Sequence, residues 1–145
     1  DLEILLPVEY VDSSAERISL YNELDHIETE EGLMRFTDRL IDRFGPVPPQ
    51  ANELLDTVRL KWLARDLGFE KIVLKHNDLT GYFLEDNNSG YFDSDIFRKI
   101  LTYGSTHIKR CQFKEQNGKN VLVLKAIDRV KDALEVLREI SGIGE

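Results

Sequence analysis

The stretch Leu40-Ile41-Asp42-Arg43-Phe44-Gly45-Pro46-Val47-Pro48-Pro49 restricts the fold more than any other part of the chain. Leu40, Ile41 and Phe44 finish an apolar stripe at helical spacing. Gly45 stands where a helix ends in a residue that takes positive φ. Pro46 blocks continuation, and Pro48 or Pro49 suits the first turn of a new helix. The backbone must therefore turn a sharp corner between two helices. Phe44, Gly45, Pro46 and Pro49 read as the architecture of that corner. Asp42 and Arg43 are not required by it. Arg43 is the residue type that the last turn of a helix prefers, whereas Asp42 sits near the negative end of the helix dipole, where a carboxylate is mildly unfavourable.

Upstream of the corner, alternation over Asp1–Leu6 predicts a short strand ended by Pro7. Pro7-Val8-Glu9-Tyr10-Val11 reads as an extended surface segment. Ser13 and Glu16 fit a capping box for a helix running to about His26, with Ile18, Tyr21 and Leu24 on one face. Arg17 and Tyr21 lie four apart on it and could stack or share a partner. Thr29-Glu30-Glu31 opens a second helix to Phe44, with a stripe of Leu33, Phe36, Leu40, Ile41 and Phe44. A third helix starts near Pro49 and stops at Leu67-Gly68. Its stripe is Ala51, Leu54, Leu55, Val58, Trp62 and Leu63.

From Glu70 the period changes. Lys71–Lys75 and Thr80–Glu85 read as strands around a His76-Asn77-Asp78 turn. Asp86–Gly90 is a polar loop. A helix spans about Asp93 to Tyr103, with Ile96, Phe97, Ile100 and Leu101 inward and Gly104 as its stop. His107–Glu115 and Asn120–Ile127 read as strands joined by an Asn117-Gly118 hairpin turn. Asp128 caps a last helix striped by Val130, Leu134, Leu137 and Ile140. Ser141–Glu145 is a loose tail. The expected fold is α+β: a three-helix lobe over 1–68, then a β-β-α-β-β-α lobe over 69–145 with a small, mainly antiparallel sheet and helices on one face. Together they form a single domain, 1–145.

Charge narrows the choice of partner. The chain carries a net −8. Residues 1–68 hold 15 acidic and 7 basic residues, while 69–145 hold 12 of each, so the whole excess lies in the first half. Phosphate binding needs the opposite sign. An acidic face suits either a basic protein surface or plain solubility. No apolar run approaches a membrane span and no signal peptide opens the chain. The lone Cys111 excludes an internal disulfide and fits a reducing compartment. A chain that begins with Asp1 reads as a piece of a longer polypeptide or a processed one.

No catalytic pattern stands out. His26, His76, His107 and Cys111 lack zinc-ligand spacing, and on one strand His107 and Cys111 would lie about 13 Å apart. Neither a phosphate loop nor a nucleophile elbow is present. Asp38 and Asp42 share a helix face, where repulsion is as natural as shared chemistry. No metal or cofactor site is expected. Lys109, Arg110, Lys114 and Lys119, with Phe113, gather near the second hairpin. They read as edge protection or, alternatively, as an accessory nucleic-acid-binding patch.

The opening motif also carries a resemblance. Leu40–Pro48, the Leu54-Leu55 helix and Leu67-Gly68-Phe69-Glu70-Lys71-Ile72 are similar to the C-terminal domain of the bacterial transcription-repair coupling factor. Pro7–Val11, Arg17 and Leu20-Tyr21 match the same family in order. The likeness covers residues 1 to about 72 by motif; beyond that it rests on the β-β-α order and length. It implies a non-catalytic regulatory domain, without a cofactor of its own, in a cytoplasmic bacterial protein. The parent is an ATP- and Mg-dependent double-stranded DNA translocase of the helicase type. Such a domain docks on the parent's UvrB-like module and covers the surface that binds UvrA. It represses the motor until RNA polymerase stalled at a lesion is engaged. RNA polymerase and DNA are contacted by other domains of the parent, and no membrane is involved. The resemblance assigns the docking contact to Asp42, with Arg39, Asp38 and Arg43 beside it. Position 39 is often Glu in the family and is Arg39 here.

Overall fold

The structure is a computed structural model that describes residues 4–84 and 90–142. Its elements run α1 (Ser14–Asp25), α2 (Glu30–Phe44), α3 (Pro49–Asp66), β1 (Phe69–Lys75), β2 (Asp78–Phe83), a 3-10 turn (Tyr91–Asp93), α4 (Asp95–Thr106), β3 (Cys111–Gln116), β4 (Lys119–Lys125) and α5 (Val130–Ser141). The chain divides into two compact units, one up to Arg59 and one from Leu60 on, so the dividing point falls inside α3. The α+β order is as expected, three helices and then β-β-α-β-β-α.

In the first unit the helix signals act where the chemistry placed them. Ser13 Oγ accepts the Glu16 N–H at 3.2 Å, and Thr29 Oγ1 accepts the Gly32 N–H at 3.0 Å. Each satisfies a donor that the first turn of a helix leaves open. Gly45 ends α2 with φ +90°, and its N–H closes on the Ile41 carbonyl at 2.9 Å. Pro49 is the first residue of α3.

The segment before α1 departs from expectation. Ile4–Leu6 is not a strand; residues 1–3 of the expected strand lie outside the described residues. Pro7–Val11 is not extended either: the Tyr10 and Val11 N–H groups both donate to the Pro7 carbonyl at 3.0 Å, which makes a turn. Three side-chain bonds hold this segment as a strap. The Leu6 N–H donates to Tyr21 Oη at 2.8 Å, Arg17 donates to the Val11 carbonyl at 2.7 Å, and Tyr10 Oη–H donates to the Gly45 carbonyl at 2.8 Å. Arg17 and Tyr21 thus share the strap, not one partner. Leu6 and Val11 are buried with Ala51, and Tyr10, Leu20, Tyr21, Phe44, Val47 and Leu54 pack around them. The alternation of apolar residues in this segment reflects anchoring into a helical core. Ile18 on α1 and Ile41 on α2, expected in stripes, are exposed. α3 is buried beyond one stripe, at Ala51, Leu55, Thr57, Leu60, Leu63 and Ala64.

In the second unit, a four-stranded antiparallel sheet has the order β1-β2-β4-β3. Both hairpins close on two-residue loops. His76 and Asn77 take φ +54° and +62°, and Asn117 and Gly118 take +52° and +78°, as tight antiparallel turns demand. Alternate residues of β2, Leu79, Gly81 and Phe83, are buried. Central β4 is buried continuously from Val121 to Leu124, hence on both faces rather than on one. On α5, Val130, Leu134, Leu137 and Ile140 are all buried, as their spacing requires.

Several boundaries move: β1 starts at Phe69, β2 starts at Asp78, inside the expected turn, and β4 ends at Lys125. α4 starts at Asp95 rather than near Asp93, with Ser94 as its cap, accepting the Phe97 N–H at 3.2 Å. Gly104 lies inside α4 instead of ending it, and a Cβ there would come within 2.8 Å of the Phe113 ring. It is small because a side chain crosses it. β3 starts at Cys111, because His107 ends α4 with its N–H on the Tyr103 carbonyl. Arg129 takes the N-cap position of α5, without a side-chain cap, in place of Asp128. Ile96 and Leu101 are exposed, while Ile100 and Tyr103 form the buried face of α4. Glu85–Ser89 and Ile143–Glu145 lie outside the described residues.

Candidate protein-docking surface

The outer side of α2 collects the residues that the corner motif singled out. Asp38 and Asp42 are one helical turn apart and both exposed. Neither makes a hydrogen bond or ion pair among the described residues. Beside them in helical angle stand Met34 and Ile41, apolar yet 58% and 45% exposed. Positions 34, 38, 41 and 42 fall on one side of a 3.6-residue helix. A pair of carboxylates flanking one side of an exposed apolar pair is a composition that suits a protein contact with a small dry patch. Met34 went unnoticed in the sequence. Its signal was an apolar residue off the buried stripe.

The two arginines of this region face elsewhere. Arg39 pairs with Glu23 of α1 and lies 5.9 Å from the centre of the Phe36 ring. Arg43 pairs with Glu16 at 3.0 Å and lies over Phe44 at 4.9 Å. Each of these two cations is thus paired within the unit, and of the remaining charges on this side Asp38 and Asp42 outnumber the exposed Arg35. Phe44 packs on Tyr10, with ring centres 5.7 Å apart. The start of α2 is fixed by Arg59, which grips both oxygens of Glu30 at 2.7 and 2.8 Å and reaches Asp56 at 2.8 Å. The Glu30 hydrogen bond, opposed by partial burial, holds the Arg59 guanidinium above its ordinary pKa. α2 is therefore a braced element that presents a fixed face.

Other ionisable groups are not arranged for chemistry. His107 and Cys111 do not share a strand as the sequence suggested. The Cys111 N–H donates to the His107 carbonyl at 3.1 Å across a turn. Burial pushes the Cys111 thiol up from its ordinary pKa, the opposite of what a nucleophile needs. His107 stacks on Tyr103 at 3.9 Å. No group of three His, Cys, Asp or Glu among the described residues is placed to hold a metal. A cleft of about 440 Å³ in the second unit is lined by Lys61, Ala64, Arg65, Phe69, Glu70, Lys71 and Ile72. Its carboxylate, Glu70, is bound by Lys119 at 2.7 Å. That pair also splits the basic hairpin: Lys119 is neutralised, while Lys109 and Lys114 remain exposed. No helix among the described residues is long and apolar enough to cross a membrane.

Fold and surface together define an α+β domain whose exposed features suit contact with protein. The chain belongs to the TRCF domain family, whose pattern it matches over residues 1–93. It is 42% identical over 145 residues to a transcription-repair-coupling factor of Staphylococcus epidermidis, and 29% identical over 144 residues to that of Rickettsia bellii. Each match covers 98% of this chain but 12% of the relative, so the chain spans about an eighth of the length of these relatives. A solved structure described as the C-terminal domain of transcription-repair coupling factor shares the fold. Its TM-score is 0.70 at 20% identity, over 100% of this chain and 92% of that one.

Proposed function

We propose that this chain is the regulatory, non-catalytic domain of a transcription-repair coupling factor, and that it works as a clamp. The outer face of α2 docks on a basic surface of the parent's UvrB-like module. Docked, it masks the UvrA-binding surface and represses the ATP- and Mg-dependent translocase in the cytoplasm. Engagement of stalled RNA polymerase by other parent domains releases it. The observation that carries this reading is the sorting of charge on α2. Arg39 and Arg43 are paired within the unit, whereas Asp38 and Asp42 stand unpaired beside exposed Met34 and Ile41. The departure at Arg39 then costs little, because Glu23 cancels it. Exposed ion pairs contribute only ~0.2–1 kcal/mol each. A few of them around a small apolar centre hold an intramolecular contact that a competitor can displace.

Asp42→Ala in the full-length parent is expected to raise basal ATP hydrolysis and increase UvrA affinity. The Asp42 side chain makes no bond among the described residues, so the unfolding free energy of the 145-residue chain should change by no more than about 0.5 kcal/mol. Unchanged basal hydrolysis together with unchanged UvrA affinity would remove Asp42 from the contact.

A further inference from the structure

β3 lies at one end of the sheet order and, among the described residues, pairs on one side only, with β4. Its register runs unshifted from Cys111↔Leu124 to Gln116↔Lys119. It contains no proline, and Gln112, Phe113, Lys114 and Glu115 are all exposed. The hairpin decides which backbone groups are spare. The Lys125 N–H donates to the Arg110 carbonyl at 2.8 Å, and bonded residues recur every second position in an antiparallel pair. Gln112, Lys114 and Gln116 therefore bond to β4, while Cys111, Phe113 and Glu115 turn their backbone groups outward. The Cys111 N–H is already taken by the His107 carbonyl. The Cys111 carbonyl and both backbone groups of Phe113 and Glu115 remain for another strand. Edges are usually blunted by bulges, proline or charge; here Lys114 and Glu115 supply the charge and nothing interrupts the backbone.

Side chains say which strand fits. On the face of the odd-numbered residues, Phe113 lies across Gly104 yet is 43% exposed. Ile108, just ahead of the strand, is 77% exposed, and Leu101, one turn before Gly104, is also exposed. On the other face, Lys114 and Lys125 are both exposed and share a side by the register, with exposed Lys109 just before the strand. Glu115, the exposed acid of β3, points to the Phe113 face.

We infer that the β3 edge docks an extended segment of another protein, alternating apolar and acidic residues, which adds as a fifth strand to the four-stranded sheet. Main-chain bonds to Phe113 and Glu115 supply affinity. Apolar side chains cover Phe113 and carboxylates meet Lys114 and Lys125, which supplies specificity. The surface is built from residues of the second unit and does not depend on the α2 contact.

The test uses the 145-residue chain and a capped peptide of alternating Glu and Val. Amide hydrogen exchange followed by NMR is expected to slow at Phe113 and Glu115 on titration, with little change at Gln112 and Lys114. Glu115→Pro deletes an outward donor and no β4 bond, and should weaken binding about tenfold, the worth of one hydrogen bond. Lys114→Glu should weaken the Glu-Val peptide and favour a Lys-Val peptide, which keeps the test decisive if the proline variant fails to fold. Absence of slowing at Phe113 and Glu115 overturns the inference, as does equal binding of the two peptides by the unaltered chain. So does slowing of the same amides on concentrating the chain alone, which means self-pairing, or on adding a single-stranded oligonucleotide.

Discussion

The strap before α1 makes a quantitative claim at Tyr10. Its hydroxyl donates to the Gly45 carbonyl at 2.8 Å, tying the N-terminal segment to the α2–α3 corner. Its ring packs on Phe44, 5.7 Å between centres. Tyr10→Phe keeps the ring and deletes only the donor. The Gly45 carbonyl is half-buried, so water can reach it in the variant, and the loss should be about 1 kcal/mol, not the full cost of an orphaned acceptor. Tyr10→Ala removes the ring as well. A fully buried aromatic costs ~3–5 kcal/mol when truncated, and Tyr10 is only part-buried, so about 2–3 kcal/mol is expected. Urea unfolding followed by far-UV circular dichroism measures both, with an unchanged slope showing that the unfolded state is the same. Tyr10→Phe indistinguishable from the parent sequence would mean that the strap is not fastened at Gly45. Tyr10→Phe as costly as Tyr10→Ala would mean that the ring contributes nothing.

Two further outcomes test the second unit. Gly104→Ala gains helix propensity of about 0.8–1 kcal/mol but pushes Phe113 aside, so it should stabilise the chain by more in a Phe113→Ala background than alone; identical effects in both backgrounds would show that the ring does not lie there. Tyr91 is buried and donates to the Leu67 carbonyl, and burial holds its hydroxyl far above the usual tyrosine pKa, with Tyr10 and Tyr103 also raised chiefly by burial. The unfolded chain then ionises first, so stability is complete below about pH 10 and falls as pH rises beyond it. Tyr91→Phe should cost about 1–3 kcal/mol at neutral pH by stranding the carbonyl, and should flatten that alkaline decline. An equally steep decline in the variant would contradict the assignment.

Docking by α2 and strand addition at β3 ask different things of the molecule. The first needs a rigid helix face, which Arg59 and the strap supply by bracing both ends of α2. The second needs only a backbone edge left open. Both proposed contacts would rest on shallow surfaces, so their strength would come from a few pairs that a change of salt or a competitor can release.

What the sequence determined by itself was local chemistry. Gly45, Pro46 and Pro49 make the corner, Ser13 and Thr29 start their helices, Asn117-Gly118 turns the hairpin, and the order of helices and strands follows. Each of these rests on backbone conformations set within a few residues. Tertiary structure decided the rest. Periodicity gives the side of a helix, not whether a neighbour lies against it, so Ile18, Ile41, Ile96 and Leu101 are exposed despite apolar spacing. A glycine near a helix end looks like a stop until Phe113 is seen to cross Gly104. Asp42 stood out in the sequence as an acid set against its helix dipole. That it and Asp38 are left unpaired depends on Arg39 finding Glu23 and Arg43 finding Glu16, partners far along the chain that only the packing of α1 on α2 brings within reach. That β3 is an edge strand is likewise a matter of sheet order: the order β1-β2-β4-β3 makes β4 central and leaves β3, like β1, outermost, although β3 and β4 are sequence neighbours joined by one turn.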